Sequence, residues 1–350
     1  MSVNDTDRPP IGYVLRPCRG HEDHDAMAAV RLGCAERDRV DTRSVLEGIP
    51  TSAEIGQSLH DSPENQIVVE RDGGVVGYAT IRWWEERDGT WLYLHRGYLL
   101  PDHRGRGVGS AMLAWAEDRI RHLVRQHGTS RTAVFGANAT DGERDATALL
   151  VGAGYRRVFS LVELELELAD LSRLPDGRRL PPGVRIGAVE TADYRDAWKT
   201  VVDSYANAAY TEKWTFESFL ATADPTCWRA AWDGDRMAGV ALCSLRREDR
   251  TLGEVEELSV RAESRRSGVG RALLVDGLRC LRENGAAAAR LYTGTANPHR
   301  SYDLYESVGF RRRGEYVRYR KPIGVQELSS SSSAWCSAPA SSSASRSTAG

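Results

Sequence analysis

Short apolar stretches recur along the chain and predict β-strands. The first half carries QIVVE and GVVGYATIRWW, and the second half carries WRAAW and MAGVALCSL. An Asp-Gly turn, RDGG or WDGD, joins the two stretches of each half, as is typical of tight hairpins. Outside these hairpins, the pattern predicts further strands near 13–16, 91–100, 184–188 and 254–261.

Helical spacing follows the strands 91–100 and 254–261. In the second half Leu274, Leu278 and Leu281 recur at positions that share one helix face. We expect a further strand, a short helix and a last strand to close each unit. This order of elements predicts an α/β fold with a mixed, mostly antiparallel sheet flanked by helices.

The two halves repeat each other. RGRGVGSAML matches RRSGVGRALL and LLVGAGYRR matches LYESVGFRR, in the same order along the chain. Such a unit is far longer than the roughly 20 to 50 residues of a solenoid repeat, so it indicates a duplicated domain. We predict one domain at 1–168, a Pro- and Gly-rich linker at 169–183, a second domain at 184–322 and a disordered Ser-rich tail at 323–350.

Composition narrows the class of protein. The 350 residues include 47 basic and 49 acidic ones, for a net charge of −2, and 41% are hydrophobic. This balance gives no overall attraction to nucleic acid or to a membrane. The six cysteines form no C-x-x-C pair, and the first residues lack the apolar stretch of a signal peptide. We therefore expect a cytoplasmic protein, without a prediction of its oligomeric state.

The stretch ESRRSGVGRALL joins a predicted strand to a predicted helix. Its glycines allow unusual backbone conformations, and the unpaired N–H groups of a helix start attract phosphate oxygens. Nearby arginines add donors. A Walker loop is absent, and Leu273 stands where a dinucleotide fingerprint needs its third glycine. Paired glycines can also simply turn a strand into a helix, but the repetition with flanking arginines favours a diphosphate site.

The pattern Arg-x-x-Gly-x-Gly between a strand and a helix resembles the acyl-CoA signature of the GNAT superfamily of N-acyltransferases. It occurs as Arg265–Gly270 and as Arg104–Gly109, and NPHRSYDLYESVGF resembles a second family segment. The resemblance covers most of 12–168 and 183–322 and implies acetyl-CoA as donor to an amine. It implies these acetyl-CoA contacts: Leu258, Ser259, Val260, Arg265, Arg266, Ser267, Gly268, Val269, Gly270, Arg271 and Asn297, and in the first half Leu99, Arg104, Gly105, Arg106, Gly107, Val108 and Gly109.

Direct attack by an amine on a thioester requires a base and an acid for the leaving thiolate. Carboxylates on the strand before the turn are candidate bases. Period 2 places Glu254 and Glu256 on one face and Glu257 on the other. The resemblance favours Glu254 as the base, with Glu256 second, and implies Tyr305 as the thiolate-protonating acid. A solvated strand face and a packed aromatic are the alternative interpretations of these residues.

The first half departs from the family at these positions. Tyr93 aligns with Glu254, Leu150 with Tyr305 and Gly142 with Asn297. This half is therefore predicted to be catalytically degenerate, with a surviving phosphate turn that predicts a second acetyl-CoA site without turnover.

Other candidate residues carry weaker signals. His21 and His24 in HEDHD lack a third metal ligand, so a solvated helix start is favoured and no metal site is predicted. His299 is a candidate proton relay. Aromatic residues after the first helix of the second half suggest an acceptor pocket or ordinary core packing: Tyr205, Tyr210, Trp214 and Phe216.

The resulting hypothesis is an acetyl-CoA-dependent N-acetyltransferase that acts on a primary amine of a small molecule. The alternatives are acetylation of protein N-termini or lysines, and a non-catalytic acyl-CoA-binding sensor.

Overall fold

The computed structural model describes residues 9–44, 46–59, 63–129, 132–169, 180–205, 214–221, 224–295 and 301–324. The strands are β1 Val14–Pro17, β2 Gln66–Arg71, β3 Gly74–Glu85, β4 Trp91–Leu99, β5 Ala133–Thr140, β6 Arg156–Glu167, β7 Val184–Ala188, β8 Arg229–Asp233, β9 Arg236–Leu245, β10 Leu252–Val260, β11 Ala288–Gly294 and β12 Arg311–Pro322. The helices are α1 His21–Asp38, α2 Ser52–Leu59, α3 Val108–His127, α4 Arg144–Gly152, α5 Tyr194–Ser204, α6 Phe216–Ala221, α7 Val269–Glu283 and α8 Ser301–Val308.

These strands confirm the predicted mixed α/β class. They form one sheet in the order β1-β2-β3-β4-β5-β12-β6-β11-β10-β9-β8-β7. Parallel pairs join β4 to β5 and β10 to β11, and the other neighbours are antiparallel.

The two halves exchange their last strands. Strand β6 of the first half lies between β11 and β12, and β12 of the second half pairs with β5. The expectation that each last strand closes its own unit is therefore wrong. An alternating pattern shows which face of a strand is buried but does not identify its neighbour.

Helices cover both faces of the sheet. Helices α3 and α7 pack on one face, and the predicted apolar face of α7 is buried, including Leu274, Leu278 and Leu281. The opposite face holds α1 and α2 in the first half and α5 and α6 in the second. Among the described residues, no helix combines the length and apolar character needed to cross a membrane.

Several predicted features fall on parts of the chain without a structural description. They are most of the linker, the Ser-rich tail, Tyr210, Asn297 and His299. Strand β6 ends at Glu167 and β7 begins at Val184, on either side of the predicted linker. The domain limits themselves stay a prediction.

Candidate active site

A β-bulge in β10 shapes the candidate site. Val255 lies opposite Cys243 and Glu257 lies opposite Leu242, so Glu256 is an extra residue. The bulge interrupts the strict alternation of side chains. Glu257 therefore shares the α5 face with Glu254, and the expectation that it points to the opposite face is wrong.

Hydrogen bonds orient two of these carboxylates. The hydroxyl of Ser244 donates to Glu256, and the Tyr205 hydroxyl at the end of α5 donates to Glu257 Oε2 over 2.7 Å. All three glutamates are partly buried. The site thus gathers three carboxylates on one face of the sheet.

The environment keeps these carboxyl groups less acidic than usual. Burial raises the pKa of Glu254 to about 7; Glu256 adds to this effect, whereas Arg246 opposes it. Burial also raises the pKa of Glu257 to about 7, against the hydrogen bond from Tyr205. The pKa of Glu256 is raised by burial as well. A carboxylate with a pKa near neutrality is a stronger base than an exposed one.

Tyr305 lies in α8 and is 7% exposed. Burial raises the pKa of its phenol, and the charge of Glu257 and the Cys243 thiol raise it further. The hydroxyl therefore stays protonated at neutral pH, as a proton donor requires. On β11, Tyr292 is 45% exposed, and the charges of Glu257, Glu254 and Glu256 act to raise the pKa of its phenol.

A split between β10 and β11 opens beside these residues. The strands pair over Leu252–Glu254 and Ala288–Arg290, and within the described residues the pairing ends there. The N–H of Arg261 donates to Ala238 on the β9 side. Because main-chain groups alternate along a strand, those of Leu258 and Val260 face the split. Ser259 faces α5, with its hydroxyl 2.9 Å from that of Ser204.

The glycine turn lies at the end of β10. Gly268 has φ 94° and precedes Val269, the first residue of α7; no described side chain caps this helix start. Arg266 and Ser267 are exposed, and Arg266 also has a left-handed φ of 62°. A side chain at Gly270 would place its Cβ 3.3 Å from Val260 Cγ2. Such a turn suits the diphosphate of acetyl-CoA.

Two arginines of the motif brace the turn. The Nε of Arg265 donates to the carbonyl of Val260 over 3.0 Å, and Arg271 donates to the hydroxyl of Ser307 over 2.6 Å. The second contact ties the start of α7 to α8, which carries Tyr305. The signature therefore also holds α8 against the turn.

The first half has the same turn with different surroundings. Gly105 has φ 70°, and Gly107 has φ 83° and precedes Val108 of α3, whereas Arg106 is exposed. Arg104 donates to the carbonyl of Leu99 over 2.9 Å and binds Asp38 over 2.6 Å. A Cβ at Gly109 would lie 3.3 Å from Leu149 of α4, and one at Gly107 would lie 3.5 Å from Pro10.

No bulge interrupts β4, which pairs with β3 in continuous register. Leu94 therefore occupies the position of Glu254, and the alignment with Tyr93 is off by one residue. Arg96 occupies the position of Glu257. At the position of Tyr305, Leu150 is 5% exposed.

The loop after β5 closes against α1 in the first half. A Cβ at Gly142 would lie 1.9 Å from the carbonyl oxygen of Asp38, and Arg31 binds Glu143 over 2.9 Å. In the described residues, the first half therefore has Leu94 and Leu150 at the positions of Glu254 and Tyr305, and its loop at Gly142 lies against α1. A cavity of about 440 Å³ remains between the end of β5 and α4, lined in part by Thr140 and Arg144.

The remaining candidates are the two histidines of HEDHD and the aromatic residues that follow α5. His21 and His24 lie at the start of α1, and the described residues contain no group of three or more side chains suited to a metal ion. Trp214 and Phe216 pack partly buried against the core around Phe219. Tyr205 contacts the site by its hydrogen bond to Glu257. Sequence reasoning missed this pair because nothing in the pattern signals the bulge.

Comparisons with known proteins identify the family of this chain. The model of the acetyltransferase (GNAT) family matches residues 35–140 and 191–310. A mycothiol acetyltransferase of Geodermatophilus obscurus is 30% identical over 73% of this chain and 81% of its own. Another protein of that name, from Kineococcus radiotolerans, is 30% identical over 85% of this chain and 92% of its own.

Solved structures share the fold. A GCN5-related N-acetyltransferase from Sphaerobacter thermophilus superposes with a TM-score of 0.71 at 22% identity, over 90% of this chain and 96% of that one. A tandem GNAT protein from the clavulanic acid biosynthesis pathway gives 0.62 at 17% identity, over 89% of this chain and 99% of that one.

Proposed function

The chain belongs to the acetyltransferase (GNAT) family, and on this premise we propose that it transfers an acetyl group from acetyl-CoA to a primary amine of a small molecule. The second half carries the reaction. The single observation behind this proposal is that β10 separates from β11 after Glu254, runs past Tyr305 and leads into the glycine turn.

Each step of direct acetyl transfer from acetyl-CoA to the amine is assigned to a different group of the second half. Glu254, with its raised pKa, takes a proton from the amine so that the neutral nitrogen attacks the thioester. Main-chain N–H groups around Leu258 stabilise the negative charge that develops on the carbonyl oxygen. Tyr305 donates its phenolic proton to the departing thiolate.

The glycine turn and the strand edge hold the donor. The N–H groups at the start of α7 bind the diphosphate, with Arg266 and Ser267 at the exposed rim. Main-chain groups of Val260 pair with the pantetheine amides, whereas those of Ser259, which the resemblance also implied, point to β9. Asn297 of the family segment completes the donor contacts in this proposal, as the resemblance implies.

The acceptor is tested with a panel of primary amines, including an acceptor of the mycothiol acetyltransferases, with the release of CoA as readout. We expect turnover with a small amine, and we expect Tyr305→Phe to lower kcat while acetyl-CoA still binds. Turnover with peptide N-termini alone would favour the protein-acetylating alternative. Acetyl-CoA binding without turnover on any amine would favour the sensor.

A further inference from the structure

A buried arginine lies next to the proposed base. Arg290 of β11 is the direct strand partner of Glu254 of β10, and both face α5. The Arg290 residue is 1% exposed. Neighbouring strands are about 4.8 Å apart, so a guanidinium here is within reach of the Glu254 carboxylate.

Three carboxylates of the first half hold this arginine instead. Its Nε donates to Glu165 Oε2 over 2.6 Å, its Nη2 lies 3.0 Å from Asp41 Oδ2, and its Nη1 lies 3.8 Å from Glu163 Oε1. Glu163 and Glu165 reach it because β6 is exchanged into the second half. Asp41 reaches it from the segment that follows α1.

One donor group of Arg290 remains unused. Among the described residues, its buried Nη1 has no hydrogen-bond partner. Tyr316 donates to Glu163 Oε2 over 2.8 Å and so fixes that carboxylate. Because β6 and β10 flank β11 on opposite sides, the bond to Glu165 draws the guanidinium to the side away from Glu254, and Nη1 remains without a hydrogen bond in the described residues.

The charged groups around Glu254 come from several strands. On β10 it faces Glu256 and Glu257, and Arg246 and Glu248 lie in the hairpin from β9. The carbonyls of Arg43 and Ser44 accept from Arg246 over 3.0 and 3.2 Å. Further groups among the described residues are Arg290 and Tyr292 of β11 and Glu163 of β6, and Arg318 of β12 acts on Tyr292.

We propose that Asp41, Glu163 and Glu165 are positioning residues that hold the Arg290 guanidinium away from Glu254, which leaves Glu254 free to accept the proton of the amine. The inference rests on the proposed function, in which Glu254 is the base. It gives the degenerate first half a role in the reaction of the second.

The consequence for the base follows from electrostatics. Burial sets the pKa of Glu254 to about 7. A cation that moves to within a few ångströms of a carboxylate lowers its pKa by about 1 to 3 units. Released from the first half, Arg290 would therefore make Glu254 a weaker base that is ionised at lower pH.

The test uses the full chain with Asp41→Asn and Glu165→Gln combined. The pKa of Glu254 is read by carboxyl NMR, with assignment by loss of the signal in Glu254→Gln. The pH profile of kcat/KM is measured on the same proteins. Arg313→Gln is the matched control, because Arg313 Nε lies 3.4 Å from Glu165 but is half exposed and does not contact Glu254.

We expect the double variant to lower the pKa of Glu254 by about one unit or more, to move the acid limb of kcat/KM equally, and to lower its plateau. Adding Arg290→Gln should abolish the shift, and Arg313→Gln should not produce it. Asp41→Asn alone, at a partly exposed side chain, should give a smaller shift and serves if the double variant does not fold.

An unchanged pKa of Glu254 in the folded variants would overturn the proposal. A shift that persists after Arg290→Gln would overturn it too, because the arginine would then not be the cause. A lowered pKa of Glu254 without any movement of the kinetic acid limb supports the hold on Arg290 and contradicts Glu254 as the base. The two ideas can therefore fail separately.

Discussion

The two halves share a fold and a glycine turn but differ at the positions of the proposed catalytic residues. The second half has a bulge in β10, three carboxylates and a buried tyrosine, whereas the first half has an unbroken β4, Leu94 and Leu150. A single extra residue, Glu256, brings Glu257 onto the face of Glu254. The comparison shows that this fold can keep its glycine turn while the side chains at the positions of Glu254 and Tyr305 change.

The halves also depend on each other. Exchange of β6 and β12 makes the central strands common to both, and buried acids of the first half bind bases of the second. Besides Arg290, Arg318 binds Glu47 over 2.6 Å and Lys321 binds Glu117 over 2.8 Å. Removal of one partner of a buried pair leaves an uncompensated charge. The first half is therefore part of the structure of the second, whether or not it catalyses a reaction itself.

The largest contrast is expected at the position of the base. Glu254→Gln should lower kcat/KM by about 10²- to 10⁴-fold, because the amine loses its proton acceptor. The matched change Leu94→Met in the first half should leave kcat/KM within about twofold, since it conserves volume. Steady-state kinetics with acetyl-CoA and the best amine of the panel give both values. Equal losses in the two variants would contradict the division of labour.

A smaller contrast is expected at the turns. Gly268→Ala and Gly107→Ala each introduce a Cβ at a positive φ, which costs about 1 to 2 kcal/mol. We expect the first change to raise the KM for acetyl-CoA by about tenfold, because the amides that bind the diphosphate shift. The second change should leave that KM unaltered. An increase in both would show that the halves act together on the donor.

The number of acetyl-CoA molecules bound per chain also distinguishes the two halves. Both helix starts lack a side-chain cap among the described residues, so calorimetry should detect two acetyl-CoA sites per chain. The site of the first half should be weaker, because Asp38 neutralises Arg104 and the loop at Gly142 is closed. Gly107→Ala should remove only the weaker site. A stoichiometry of one in the unaltered protein would contradict the second site.

The smallest effect concerns stability. The pKa of Glu254 is raised in the folded protein, so this group favours folding at low pH, and that contribution is lost as pH rises from about 4.5 to about 7. Glu254→Gln should therefore raise the Tm modestly at pH 8 and leave it nearly unchanged at pH 4. Thermal unfolding at the two pH values tests this. Glu85→Gln, the same replacement at a strand end of the first half, is measured alongside as a control.

Much of the fold was readable from residue patterns. The paired hairpins, the amphipathic helix with Leu274 and Leu278, and the repeat itself predicted strands and helices that the structure confirms. The turn at Gly268 was predicted because glycine marks a backbone conformation that other residues resist. Each of these patterns lies within one helix, hairpin or turn, so neighbouring residues are enough to reveal it.

Features that depend on distant pairing were not readable. The bulge that turns Glu257 depends on how β10 pairs with β9. The exchange of β6 and β12 and the contact of Asp41 with Arg290 join residues far apart in sequence. By itself the sequence determined two copies of an α/β unit, their glycine turns and the candidate glutamates. Only the tertiary structure decided which carboxylates share a face and which charges surround them, because strand register and partner choice arise from packing over the whole sheet.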